Sequence, residues 1–162
     1  MRVTVESNFC KTPLNKAVAQ TWLLTVAYRA TIPYLIEQGN PNSTWTLVTG
    51  GAGDLGFAGV TAVGQGALFS LANVACLENA TTNIRFNEVY LCYRVDFDSV
   101  YEEKGPENRM KTSDFADVYV GILADEDIKA CRVSVFSPQD VKDLKYKKKL
   151  PDSVQIPENA RN

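Results

Sequence analysis

Thr46-Leu47-Val48-Thr49-Gly50-Gly51-Ala52-Gly53-Asp54-Leu55-Gly56 is the stretch on which the reading of the fold turns. An apolar, β-branched run enters a glycine-rich turn, and a helical pattern follows from Val60. That spacing fits the turn in which glycines let a backbone approach a dinucleotide pyrophosphate at a helix N-terminus. The same spacing serves any tight strand-to-helix connection, so the flanking sequence has to decide. In a dinucleotide site a carboxylate is expected about 20 residues beyond the loop, after a second strand. Here the next strand-like run reaches Asp96, far too late, and the first 43 residues would have no role.

Outward from the loop, the chain alternates strand-like and helix-like segments. Arg2 to Glu6 alternate polar and apolar, as in a short strand. Thr12-Pro13 opens a helix with a hydroxyl cap and a first-turn proline, and the pattern runs to about Ile36 before Gly39 and Pro41 end it. Residues 44–49 read as a strand, Val60 to Cys76 as a long helix rich in small residues, and Ile84 to Val95 as a strand. A polar connection spans 97–110. Thr112 or Ser113 is placed to cap a helix reaching about Asp125, Cys131 to Phe136 form a last strand, and Ser137-Pro138 starts a short helical turn. This order predicts helices covering a mainly parallel sheet of about four strands. Residues 1–150 form one domain on this reading, and 151–162 a tail.

Composition narrows the chemistry. The 162 residues hold no histidine, which removes the commonest general base and metal ligand and excludes Ser-His-Asp, Cys-His and HExxH sites. Cys10, Cys76, Cys92 and Cys131 lie far apart with no CxxC spacing, so no metal site is expected. A net charge of −2 gives no basis for nucleic-acid or anionic-membrane binding. The basic run Lys145-Tyr146-Lys147-Lys148-Lys149 reads as a solvated terminal segment. The sequons at Asn42 and Asn79 read as chance matches. With no signal-like N-terminus and no apolar run of membrane-spanning length, a cytoplasmic protein with reduced thiols is expected.

Four segments in order resemble the C-terminal half of the short-chain dehydrogenase/reductase fold. Residues 20–33, QTWLLTVAYRATIP, are similar to that family's central helix with its RAxxP ending. TLVTGGAG falls where the family has the strand bearing its catalytic serine. GQGALFSLANVACLEN (64–79) resembles the helix after the catalytic tyrosine, and Asn83-Ile84-Arg85-Phe86-Asn87 its IRVN strand. The resemblance implies a half-Rossmann, three-layer α/β fold in which the glycine loop is not the cofactor loop. It also implies that the family's first strands and cofactor loop would precede everything seen here, and that no cofactor is held.

The family's reactive groups do not carry over. Its Tyr-x-x-x-Lys falls on Thr61 to Gln65, its serine on Gly50 or Thr49, its helix asparagine on Gln20, and its nicotinamide-contacting Pro-Gly on Leu91-Cys92. The redox step needs a phenol acidified by a nearby ammonium. A threonine hydroxyl is too weak an acid, and Gln65 carries no charge.

Two classes of function stay open, beside a nicotinamide oxidoreductase using the glycine loop. The first is a cofactor-independent enzyme that isomerises, dehydrates or cyclises a small organic molecule at the C-terminal ends of the strands. Its catalytic candidates are Asp54, Thr61, Tyr93 and Arg94, and its substrate-binding candidates Thr49, Gln65, Tyr90 and Asp96. Structural roles compete for several of these: Tyr90 and Tyr93 as strand-packing aromatics, Asp54 as a turn residue. The second is a non-catalytic binding or scaffold protein. In the resembled family the helices matching 13–38 and 60–78 form the dimer interface, so a homodimer through them is expected.

Overall fold

The structure is a computed structural model that describes residues 14–150. The strand expected at 2–6, the helix start at Thr12-Pro13, Cys10 and the 151–162 tail lie outside the described residues.

The expected α/β architecture is present. Helix α1 (Leu14–Gln38) leads into β1 (Thr44–Gly50), the single-turn α2 (Ala52–Leu55) and α3 (Val60–Glu78). Then come β2 (Arg85–Leu91), β3 (Arg94–Asp96), α4 (Asp98–Lys104), β4 (Arg109–Lys111) and α5 (Thr112–Ala124). The chain continues with β5 (Cys131–Val135), α6 (Gln139–Lys142) and β6 (Lys145–Lys148). The main sheet has the order β1-β2-β5-β6. β1, β2 and β5 are parallel, with Leu47 opposite Glu88 and Val89 opposite Val133, and β6 returns antiparallel to β5.

Each face of the sheet carries its own core. On one face α1 and α3 lie side by side, as their apolar i, i+4 spacings require. Tyr28 and Ile32 of α1 and Leu68, Ala72 and Cys76 of α3 close over Leu47 and Phe86. Trp45 stacks on Phe86 with centroids 5.3 Å apart, and Tyr28 meets both rings edge-on. On the other face Phe115, Val118 and Ile122 of α5 pack on Val89, Val133 and Val135. β2, with helices on both sides, is buried at every position from Arg85 to Tyr90. Its Arg85 guanidinium caps the C-terminus of α5, donating to the carbonyls of Ile122, Asp125 and Leu123 at 2.9, 2.8 and 3.2 Å.

Several expectations are corrected. The strand expected over 84–95 is two strands in two sheets. β5 ends at Val135, so beyond the bond from Cys92 N–H to Val135 C=O (2.8 Å) the chain has no neighbour to pair with. It turns away and forms β3, which pairs with β4. The polar 97–110 connection contains α4, whose Asp98 accepts the Ser113 N–H at 3.1 Å. Thus α5 is capped by a carboxylate from the preceding helix, while the Thr112 hydroxyl donates to Asp96 C=O at 2.9 Å. The basic run is solvated over its first four residues, but these form an edge strand, and the Lys149 side chain is buried. Finally, α3 has a mean hydropathy of 1.5 and is long and apolar enough to cross a membrane by length and composition alone. The fully buried Leu68, Ala72 and Ala75 give it a different use, the covering of the sheet.

Candidate functional site

The glycine loop lies at the C-terminal rim of the sheet, where open α/β folds place their ligands. Its glycines answer to packing. A Cβ on Gly53 would lie 2.6 Å from Phe69 Cε2 and 3.0 Å from the Gly66 backbone nitrogen, so only glycine lets the loop rest on α3. A Cβ on Gly51 would lie 2.6 Å from Cys92 Sγ. The first amide of the loop is already used, because Gly50 N–H donates to Gln65 Oε1 at 2.8 Å. After the single turn of α2, Gly56 adopts φ +66°, and a second loop through Gly59 intervenes before α3.

In front of the loop is an open groove of about 290 Å³ lined by backbone and apolar side chains, among them Leu55, Phe57, Leu91, Cys92 and Tyr93. Behind it is a buried ionic network. Glu88, in the middle of β2 and fully buried, accepts from Thr49 Oγ1 at 2.6 Å and from Arg132 Nε at 3.0 Å. It also pairs with Lys149. Arg132 reaches on to Asp54 at 3.4 Å, and its guanidinium lies against both the Phe69 and Tyr90 rings, 4.8 and 4.7 Å from their centroids, the two rings themselves being in contact at 5.9 Å. Burial, with hydrogen bonds to Cys92 and Asp54, pushes the Tyr90 hydroxyl well above its ordinary pKa.

The sequence candidates therefore divide into three groups. Thr49, Gln65 and Tyr90 gather beneath the rim and Asp54 stands exposed beside them, and each is engaged with protein partners. Tyr93 lines the groove, and Thr61 sits in the first turn of α3 outside that lining. Arg94 and Asp96 belong to the small sheet. There Asp96 accepts from Arg94 Nε at 2.9 Å and from Arg109 Nη1 at 3.1 Å, forming an ion cluster separate from the rim network. Sequence reasoning missed Glu88, Arg132 and Lys149. The available signal was a carboxylate in the middle of a strand expected to be covered on both faces, which requires a buried cationic partner. Among the described residues no cluster of His, Cys, Asp or Glu is placed to hold a metal.

The chain as a whole is similar to a known protein. Over 125 residues, 76% of this chain, the sequence is 46% identical to a Pestalotiopsis fici protein described as "Short-chain dehydrogenase/reductase iacG". The chain covers 50% of that protein, and so spans about half the length of the curated relative it matches. No protein-family model and no solved structure matches it.

Proposed function

The chain is short-chain dehydrogenase/reductase-like, and on that premise we propose that it works without nicotinamide, holding a small, largely apolar organic molecule in the rim groove. The observation that carries this reading is Gln65. By the resemblance it stands where the family has its lysine; it is buried, its side-chain oxygen accepts from Gly50 N–H, and it puts no cation there. The residues present do not fit a dinucleotide. The loop runs into a single turn rather than a long helix, the space beside Gly53 and Gly51 is taken by Phe69 and Cys92, and β2 ends at Leu91, followed by Cys92-Tyr93, with no carboxylate there for a ribose.

What the groove offers is shape, aromatic surface from Phe57 and Tyr93, and the Tyr93 hydroxyl. That set suits non-redox isomerisation, dehydration or cyclisation of a substrate that is already reactive, where orientation supplies most of the rate. A second reading, non-catalytic binding or scaffolding, is favoured by the internal pairing of Thr49, Asp54 and Tyr90, which leaves few polar groups to converge on a ligand. In either case a homodimer through α1 and α3 is part of the proposal. Between these helices runs an apolar groove lined by Val18, Trp22 and Val63, which are 57, 70 and 62% exposed.

Thermal unfolding of the full chain with millimolar NAD(H) and NADP(H) tests the absence of a nicotinamide site. No shift is expected, and a rise of several degrees would overturn the reading. Binding of 1-anilinonaphthalene-8-sulfonate tests the groove. Phe57→Ser and Tyr93→Ser are each expected to weaken the rim-bound fraction about tenfold, a loss of about 1.4 kcal/mol. Equal binding by both variants would remove the groove from the function.

A further inference from the structure

Among the described residues Cys92 is the thiol that solvent reaches, since Cys76 and Cys131 are buried. It directly follows β2 at the C-terminal rim. Its backbone N–H is fixed by Val135 C=O at 2.8 Å, and the residue lines the rim groove. The glycine loop makes room for it. Sγ lies 2.6 Å from the point where a Gly51 Cβ would stand, and the Tyr90 hydroxyl oxygen lies 3.4 Å from the same point, so thiol and phenol converge under the loop.

This thiol belongs to a constellation. The Tyr90 hydroxyl hydrogen-bonds to both Cys92 and Asp54. A carboxylate can only accept, so Tyr90 donates to Asp54 and accepts from the Cys92 S–H. The result is a hydrogen-bonded line from the groove, through a phenol that is 7% exposed, to a carboxylate that solvent reaches. The phenol ring is held by contacts with Phe69 and Phe136, both 5.9 Å between centroids, and by the Arg132 guanidinium at 4.7 Å. Burial and the two hydrogen bonds keep the phenol protonated, so it hands a proton on without ionising.

Resting on the reading of the rim groove as the place where a small apolar molecule is held, we infer that Cys92 is the groove's nucleophile, adding reversibly to the β-carbon of an α,β-unsaturated ketone while Tyr90 and Asp54 take up its proton. As the S–H proton moves to the Tyr90 oxygen, the Tyr90 proton moves to Asp54. A sulfur electron pair forms the S–C bond, the C=C pair shifts to join the α-carbon to the carbonyl carbon, and the carbonyl π pair moves onto oxygen as an enolate. The former double bond is now single and rotates. Return of the pairs expels the sulfur, which recovers its proton through Tyr90. Atoms and electrons balance with no oxidant or reductant, and the double bond returns with its geometry changed. The ketone's apolar body suits Leu55, Phe57 and Leu91, which line the same groove.

The test uses the full chain, benzylideneacetone as the unsaturated ketone, and benzylacetone, its saturated analogue with no double bond to attack. Displacement of rim-bound 1-anilinonaphthalene-8-sulfonate by benzylacetone reads occupancy of the groove alone. Intact mass and peptide mapping read the adduct. The expected result is an adduct on Cys92 that is lost on dilution and slowed by excess benzylacetone. Tyr90→Phe and Asp54→Asn are each expected to slow it at least about tenfold at neutral pH. The parent's rate should be nearly flat around neutrality, whereas the variants' rates should climb with pH, because without the relay the thiolate has to form first. If Tyr90→Phe does not fold, Asp54→Asn decides. Dye displacement without an adduct on Cys92 would overturn the inference and leave the groove reading standing, whereas no dye displacement would remove both. An adduct formed equally fast under excess benzylacetone, or equally fast in both variants with the parent's pH profile, would also overturn it, reducing Cys92 to a thiol that meets reagent from solvent.

Discussion

Gly53 shows how one residue can carry a motif for a reason other than the motif's usual one. Its hydrogen faces Phe69, the Gly66 backbone nitrogen and Gln65 Cβ, and the last two lie 3.0 and 3.1 Å from where a methyl carbon would stand. Phe69 can rotate, but the α3 backbone cannot withdraw without disturbing Leu68 and Ala72 beneath it. Gly53→Ala is therefore an overpacking change, expected to destabilise by about 1–3 kcal/mol. Gly56→Asn, at φ +66° with open space around its Cα, is expected to cost well under that, since asparagine tolerates the left-handed region. Urea unfolding of the two variants measures the difference. Equal stabilities would return the Gly53 position to a ligand-approach explanation.

At the scale of elements, legibility followed local pattern. The end of α1 and the extents of β1 and α3 could be read because apolar spacing, Gly39 and the glycine loop mark them. The break in β2 could not, because Tyr93, Arg94 and Val95 have strand character and only the end of β5 decides where pairing stops. The edge strand of lysines was hidden for the same reason: polar, charged sequence becomes a strand when a neighbour supplies the ladder. The rim positions Thr49, Asp54, Gln65 and Tyr90 could be placed from strand ends, whereas Arg132 and Lys149, which pair with Glu88 behind them, lie more than 40 residues further along the sequence. Glu88 ties these elements together, joining β1 through Thr49, β5 through Arg132 and the end of β6 through Lys149. Glu88→Gln keeps an acceptor for the Thr49 hydroxyl but strands a buried lysine. The expected cost is about 3–5 kcal/mol, read as a lower urea midpoint at unchanged slope. Adding Lys149→Met should recover part of it, because the uncompensated charge goes too. A Glu88→Gln protein as stable as the parent would mean that the network contributes nothing net.

For the whole molecule, two groups on opposite sides of neutrality set the pH range over which the fold keeps its full stability. Lys145 beside Asp140, with the Phe136 and Ser137 N–H groups and the Ser137 hydroxyl on the same carboxylate, holds its pKa down to about 2 from 3.8. Between those values the unfolded chain binds a proton that the folded one does not, so stability falls as pH drops from about 4 towards 2. On the alkaline side burial pushes the Cys76 thiol from 9.0 up to about 12. Glu88 and Cys131 act in the same direction, and Lys149 opposes them. Here the folded chain keeps a proton that the unfolded one has lost, so stability declines as pH climbs from 9.0 towards about 12. The buried hydroxyls of Tyr28 and Tyr90 are pushed up as well and add to the same alkaline loss. Melting temperature measured across pH should therefore show a plateau from about 4 to about 9 with a fall on each side. Asp140→Asn should lower the plateau and flatten the acid fall, because the group whose ionisation differs between the two states is gone. An acid fall as steep in Asp140→Asn as in the parent would assign acid unfolding to other carboxylates, and would mean that the buried Asp140 and its pair with Lys145 contribute little to the pH dependence.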